Sequence, residues 1–220
     1  MQFNLEILNW GMFMNKQEPD FWQLATSQLA EVDEVMAALI KRHPHVQLSS
    51  RGDAFETLAR AITGQQISVK AAETVWQRLL LLTSVTPSAL AAVSVTDLRA
   101  CGYSQRKVEY LQDLARHFIE ELIDPNAWPQ MDDAEIIRAL TQIRGIGQWS
   151  AEMFLMFNLL RPDVLPVDDI GLQKAFALHY PDVQPQNKIR LRQYAARWQP
   201  WRSVATWYLW RSLDPVAVEY

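Results

Sequence analysis

An all-α fold is what this sequence predicts, and three observations predict it. Apolar residues recur at helical spacing: Phe55, Leu58, Ala59 and Ile62 share one face, as do Val69, Ala72, Trp76 and Leu79. Pro44, Pro87, Pro125, Pro129, Pro162, Pro166, Pro181, Pro185 and Pro200 then divide the chain into segments of ordinary helix length. No stretch shows the period of two that a half-buried strand requires. The sum is about ten helices with short connections.

Several segments open on residues suited to capping the free amides of a first helical turn, namely Ser68, Ser94, Ser104 and Asp132. With 220 residues, 49% of them hydrophobic, the chain can bury a sizeable core as one domain or two packed lobes. Its single cysteine, Cys101, excludes an internal disulfide, a four-cysteine zinc site and a four-cysteine iron-sulfur cluster, and reads as a small buried hydrophobe. Asn4, Glu6 and Asn9 break up any signal-peptide core, and no apolar run approaches bilayer-spanning length, so a cytoplasmic protein without a membrane partner is expected. A formal net charge of -4 advertises no polyanionic ligand, so nucleic-acid binding has to come from local features such as helix N-termini and hairpin amides.

The most informative such feature lies between Leu140 and Met153. One helix is expected to end at Ile143 and another to start near Gln148, with Gly145 and Gly147 in the turn. Glycine takes positive φ at little cost and leaves the backbone uncovered, so the hairpin amides and the next helix N-terminus can face an anion. Ile143 and Ile146 anchor the turn to the core in this reading. A Gly-x-Gly between helices also reads as an ordinary C-cap followed by a tight connection. Downstream, the proline-bounded connection from Arg161 ends in the pair Asp168 and Asp169 just before another helix, and an aspartate there serves as an N-cap whatever else it does.

Ile143, Arg144, Gly145, Ile146 and Gly147, followed by Ser150 and Ala151, resemble the hairpin of the helix-hairpin-helix DNA glycosylases. Family members commonly carry proline where this chain has Arg144, which leaves the glycines in place and adds a positive charge near the expected phosphate. The resemblance implies that the hairpin binds the DNA backbone, with a monovalent cation held by the carbonyls of Ile143 and Ile146 in many members. It also implies a catalytic aspartate at the head of a helix about twenty residues on. With Trp149 as anchor, Asp169 followed by Ile170, Gly171 and Leu172 fits the family register without gaps, and Asp168 is the fallback. A carboxylate suits the chemistry, because breaking an N-glycosidic bond builds positive charge on the deoxyribose.

Bifunctional relatives carry a Schiff-base lysine where this chain has Trp149, so hydrolysis without strand cleavage is implied. The segment from Trp201 to Trp210 is similar to the C-terminal helix of the AlkA-type 3-methyladenine DNA glycosylases, in which the corresponding tryptophan lines the base pocket. Most of the nine tryptophans read as core, but Trp149 and Trp210, with Met153 one turn beyond Trp149, are the expected pocket lining. An electron-rich ring stacks well on a cationic methylated purine. Met153 stands where some relatives have an aromatic residue. Gln65 and Gln66 resemble family residues that plug or border the gap left by a flipped base, and read equally as a polar helix cap. Arg106 and Lys107 resemble a second DNA-facing turn, or form a solvated charged face.

What the resemblance implies as a whole is a monomeric, cofactor-independent glycosylase acting on alkylated bases in double-stranded DNA. It would have a barrel-like lobe over residues 55–160 and a second lobe from residues 1–54 and 161–220, with DNA across the cleft. A glycosylase for another damaged purine and a non-catalytic hairpin module that only holds DNA are the alternatives.

Overall fold

The computed structural model describes residues 19–44, 48–50, 52–184 and 186–213, and every described element is helical. Twelve α-helices occur among these residues: α1 (Trp22–Val32), α2 (Glu34–Arg42), α3 (Ala54–Gly64), α4 (Val69–Leu82), α5 (Pro87–Ala92), α6 (Val95–Ala100), α7 (Gln105–Ile119), α8 (Asp133–Leu140), α9 (Gln148–Phe157), α10 (Ile170–His179), α11 (Lys188–Tyr194) and α12 (Arg202–Arg211). All four expected caps form. Ser68, Ser94 and Ser104 accept amides from Ala71, Asp97 and Lys107, and Asp132 makes a full capping box with Glu135.

The chain divides into two compact units, Gly52–Phe154 and the described residues on either side of that stretch. The sequence placed the second break after Leu160; it falls inside α9, between Phe154 and Leu155. The reason is visible in α9 itself, where Ala151 to Asn158 are all buried, so this helix has no solvent-facing stripe to mark where one unit stops.

In the unit formed by Gly52–Phe154, α7 is the central helix. It packs against α3, α5 and α6 and buries Val108, Leu111, Leu114 and Ala115. Phe55 on α3 meets Phe118 edge to face at 5.1 Å. The hairpin helix α8 stops at Leu140 rather than Ile143, because the backbone tightens there. Ile143 N–H bonds to the Leu140 carbonyl at 3.1 Å, and Ile146 N–H to the Ile143 carbonyl at 3.0 Å. Ile143 and Ile146 are both buried, as their anchoring role requires. Cys101 is buried too.

In the other unit, α12 runs through the centre, and every residue from Ser203 to Arg211 is buried. The connection before α10 is tied to the start of α12: Ser203 Oγ donates to the Arg161 carbonyl at 2.6 Å and accepts Val164 N–H at 2.9 Å, and Arg202 clasps the Asp163 carboxylate at 2.6 and 2.9 Å. Two prolines, Pro162 and Pro166, limit what remains of its freedom. Asp33, only 5% exposed, is satisfied by the Val35 and Met36 amides of α2, the Tyr180 hydroxyl and the Trp198 indole N–H. A buried carboxylate with that many donors joins α2, α10 and the segment after α11.

Candidate functional site

Asp169 is the N-cap of α10. Its Oδ1 accepts the Leu172 amide at 2.6 Å, and the same oxygen accepts the indole N–H of Trp210 at 2.8 Å. Trp210 is itself held by a parallel stack on Phe157, with ring centroids 6.1 Å apart and planes 13° apart. Gly171 flanks this hydrogen bond, and an added Cβ there would lie 3.1 Å from Asp169 Oδ1 and 3.3 Å from Trp210 Nε1. Asp168, the neighbouring candidate, turns outward and forms an exposed ion pair with Lys188. The two aspartates are therefore distinguished by partner: Asp168 is committed to a surface cation, whereas the amide and indole on Asp169 Oδ1 are neutral donors.

Trp210 is 1% exposed, so in this structure it presents almost no ring face on which a base could stack; what it presents is its N–H. Trp149 differs, being 38% exposed on the first turn of α9, with Met153 one turn on and 9% exposed.

In the hairpin the two glycines have different duties. Gly145 adopts φ +87°, and a Cβ there would strike the Tyr110 ring at 2.2 to 2.7 Å. Gly147 does not use positive φ, and nothing lies within 4 Å of where its Cβ would be. The first glycine is required by the fold. The second leaves open space beside the start of α9, whose Ala151 amide its carbonyl accepts at 3.0 Å.

Arg144, the positive charge that the sequence places near the expected phosphate, has partners within the protein. Its guanidinium pairs with Glu109 at 2.9 Å and its backbone N–H is taken by Asp113 Oδ2 at 2.8 Å. The hairpin is thus clamped to one face of α7 by Glu109, Tyr110 and Asp113, none of which the sequence had singled out. Burial pushes the Asp113 carboxyl up, but the Arg144 amide, the Arg116 guanidinium and the nearby His117 outweigh it, so the group sits below the ordinary carboxylate range.

The two glutamines separate as clearly. Gln65 donates from Nε2 to the Gly145 carbonyl at 2.9 Å, tying the end of α3 to the hairpin. Gln66 is exposed and holds φ +58°, a left-handed conformation that costs a non-glycine residue of order 1 kcal/mol or more. Lys107 is half-buried. Its ammonium donates to the Thr63 carbonyl at 2.7 Å, capping α3, and burial holds its pKa below the ordinary lysine value. Thr63 also bonds the Tyr103 hydroxyl at 2.8 Å, and burial pushes that phenol up to about 12. Arg106 is exposed, with no ion pair among the described residues.

Residues 59–200, which hold the hairpin and Asp169, match the HhH-GPD superfamily of base excision DNA repair proteins, and the chain belongs to that superfamily. Within it, the chain is 30% identical to DNA-3-methyladenine glycosylase 1 of Schizosaccharomyces pombe over 197 residues, 86% of each chain. The crystal structure of the DNA-3-methyladenine glycosidase of Bacillus halodurans superposes with a TM-score of 0.81 at 34% identity, covering 94% of this chain and 96% of that one. The Schizosaccharomyces pombe 3-methyladenine DNA glycosylase in complex with abasic DNA superposes with a TM-score of 0.74 at 29% identity, covering 90% of this chain and all of the other. No helix among the described residues is long and apolar enough to cross a membrane.

Proposed function

We propose that this protein is a monofunctional DNA glycosylase that hydrolyses the N-glycosidic bond of alkylated purines, such as 3-methyladenine and 7-methylguanine, in double-stranded DNA, with Asp169 as its catalytic carboxylate. The observation that carries the assignment is the double hold on Asp169 Oδ1 by the Leu172 amide and the Trp210 indole, set against the surface ion pair of Asp168.

An alkylated purine is already a cation, so when the bond from C1′ to the base nitrogen breaks, the electron pair goes to the base and a neutral purine departs. The deoxyribose is left with oxocarbenium character, which a carboxylate stabilises through space. Water then bonds to C1′ and gives its proton to the carboxylate or to solvent, leaving an abasic site. Trp149 stands at the position of the Schiff-base lysine and has no nucleophilic amine, which supports hydrolysis without strand cleavage. Its exposed ring is suited to stack on the flipped cation, with Met153 beside it.

DNA binding is assigned to the hairpin. The open space at Gly147 lets a phosphate come close to backbone and to the start of α9, while Gly145 and Gln65 hold the turn in shape. The Ile143 carbonyl accepts one amide and retains a second lone pair, so together with the Ile146 carbonyl it fits a hard monovalent cation that would add positive charge facing the phosphate. Gln66, exposed in a left-handed conformation, is the residue proposed to fill the gap left by the flipped base, and Arg106 the one proposed to contact a phosphate.

The test is single-turnover base release from methylated DNA. Asp169→Asn is expected to lower the rate at least about 100-fold with DNA affinity retained, whereas Asp168→Asn stays near the unmodified protein. Equal rates for Asp169→Asn and the unmodified protein would remove the catalytic assignment.

A further inference from the structure

Three groups meet at the head of α10: the Asp169 carboxylate, the Trp210 indole and the bare Cα of Gly171. We infer that Gly171 and Trp210 act together as positioning residues for Asp169: the missing Cβ at Gly171 leaves room beside the bond from the Trp210 N–H to Oδ1, and that bond fixes the plane of the carboxylate. The inference rests on Asp169 being the catalytic carboxylate, and it concerns what sets the aim of that group.

The geometry carries the argument. Capping α10 requires only that the Asp169 carboxylate accept one first-turn amide, and the Leu172 N–H at 2.6 Å is that amide. The indole N–H at 2.8 Å is a second donor to the same oxygen, arriving from another helix 41 residues along the chain. A carboxylate is planar, so two donors converging on one oxygen from different directions determine where the other oxygen lies. Trp210 cannot easily swing away, because it is 1% exposed and stacked on Phe157.

Gly171 completes the arrangement. Its φ lies outside the left-handed region, so the backbone does not require glycine there. The first turn of an exposed-ended helix also gains nothing from glycine, which is a poor helix former. What does require glycine is the neighbourhood: a Cβ would sit 3.1 Å from Asp169 Oδ1 and 3.3 Å from both Cδ1 and Nε1 of Trp210. These approaches are tight without being impossible, so a methyl group would be accommodated by a shift of a few tenths of an ångström in the carboxylate and indole. A helix-disfavouring residue at a position where the three atoms nearest to a Cβ belong to the carboxylate and its donor ring points to function.

The experiment compares Gly171→Ala, Trp210→Phe and Asp169→Asn in single-turnover base release from methylated duplex DNA, together with affinity for abasic-site DNA and melting temperature. Gly171→Ala is expected to lower the maximal rate about 10-fold, and Trp210→Phe, which keeps a stacking ring but loses the N–H, by on the order of 10- to 100-fold. Half-saturation by DNA should be unchanged in both, and Gly171→Ala should melt no lower than the unmodified protein. In the Asp169→Asn background neither change should lower the residual rate further, because there is no longer a carboxylate to aim. If Asp169→Asn is inactive while Gly171→Ala and Trp210→Phe release base at the unmodified rate, the positioning role is refuted and the catalytic assignment stands. The same refutation follows if their effects persist undiminished in the Asp169→Asn background. If Asp169→Asn is fully active, the catalytic assignment fails and the positioning role falls with it.

Discussion

Replacing Gly145 with alanine tests how the hairpin is built. Two costs are legible in the geometry. The left-handed φ of +87° costs an alanine about 1–2 kcal/mol, and the new methyl group must displace the Tyr110 ring, whose atoms would lie as close as 2.2 Å, at about 1–3 kcal/mol for overpacking. Together these predict a loss of about 2–5 kcal/mol, read from the urea midpoint followed by circular dichroism. Gly147→Ala is the internal control. It meets nothing within 4 Å and uses no positive φ, so its cost should stay within about 1 kcal/mol. Adding Tyr110→Ala to Gly145→Ala relieves the clash but not the backbone strain, and the pair should couple by at least about 1 kcal/mol in a double-mutant cycle. Gly147→Val, by contrast, should weaken binding to damaged and undamaged duplex alike, because it fills the space assigned to a phosphate. Equal destabilisation by Gly145→Ala and Gly147→Ala would refute this division of labour.

Arg106 and Lys107 are adjacent in sequence and should behave oppositely. Arg106→Ala is expected to lower DNA affinity and reduce the salt slope by about 0.9 without affecting stability, whereas Lys107→Met, which uncaps the Thr63 carbonyl, should cost about 1–3 kcal/mol of stability with the slope unchanged. Asp113 supplies a pH dependence. Its carboxyl is held below the usual range in the folded protein, so its stabilisation is complete above the unfolded carboxylate pKa and is lost as pH falls through the lower folded value. Asp113→Asn should therefore lower stability at neutral pH and flatten the decline between about pH 4 and more acidic conditions, measured as melting temperature against pH.

The elements visible in the sequence were those encoded by neighbours. Ser68, Ser94, Ser104 and Asp132 cap helices through amides three residues away, so local pattern was enough to find them. The α8 terminus was missed by three residues because Thr141 to Ile143 continue the apolar spacing while the backbone has already tightened. The site was legible as residue types but not as partnerships. Lys107 meets Thr63 across 44 residues of chain, Gln65 meets Gly145 across 80, and Arg144 meets Glu109 across 35. Each of these turned a polar residue that reads as a DNA contact into one already bonded within the protein. Periodicity carries no record of such pairs, since they depend on which helices become neighbours. In the sequence Gly171 serves only to set the register of Asp169, and its spatial role is visible only with Trp210 beside it.

Gln66 has an implication for anyone seeking a sturdier version of this enzyme. A glycine at that position would adopt φ +58° without strain, so a screen scored on melting temperature would select Gln66→Gly as an improvement of up to about 1–2 kcal/mol. The same substitution would delete the side chain proposed to hold the duplex open. On that assignment thermal selection and repair pull in opposite directions at this one residue, and a library enriched for heat tolerance should be re-sorted on base release before any of its members is kept.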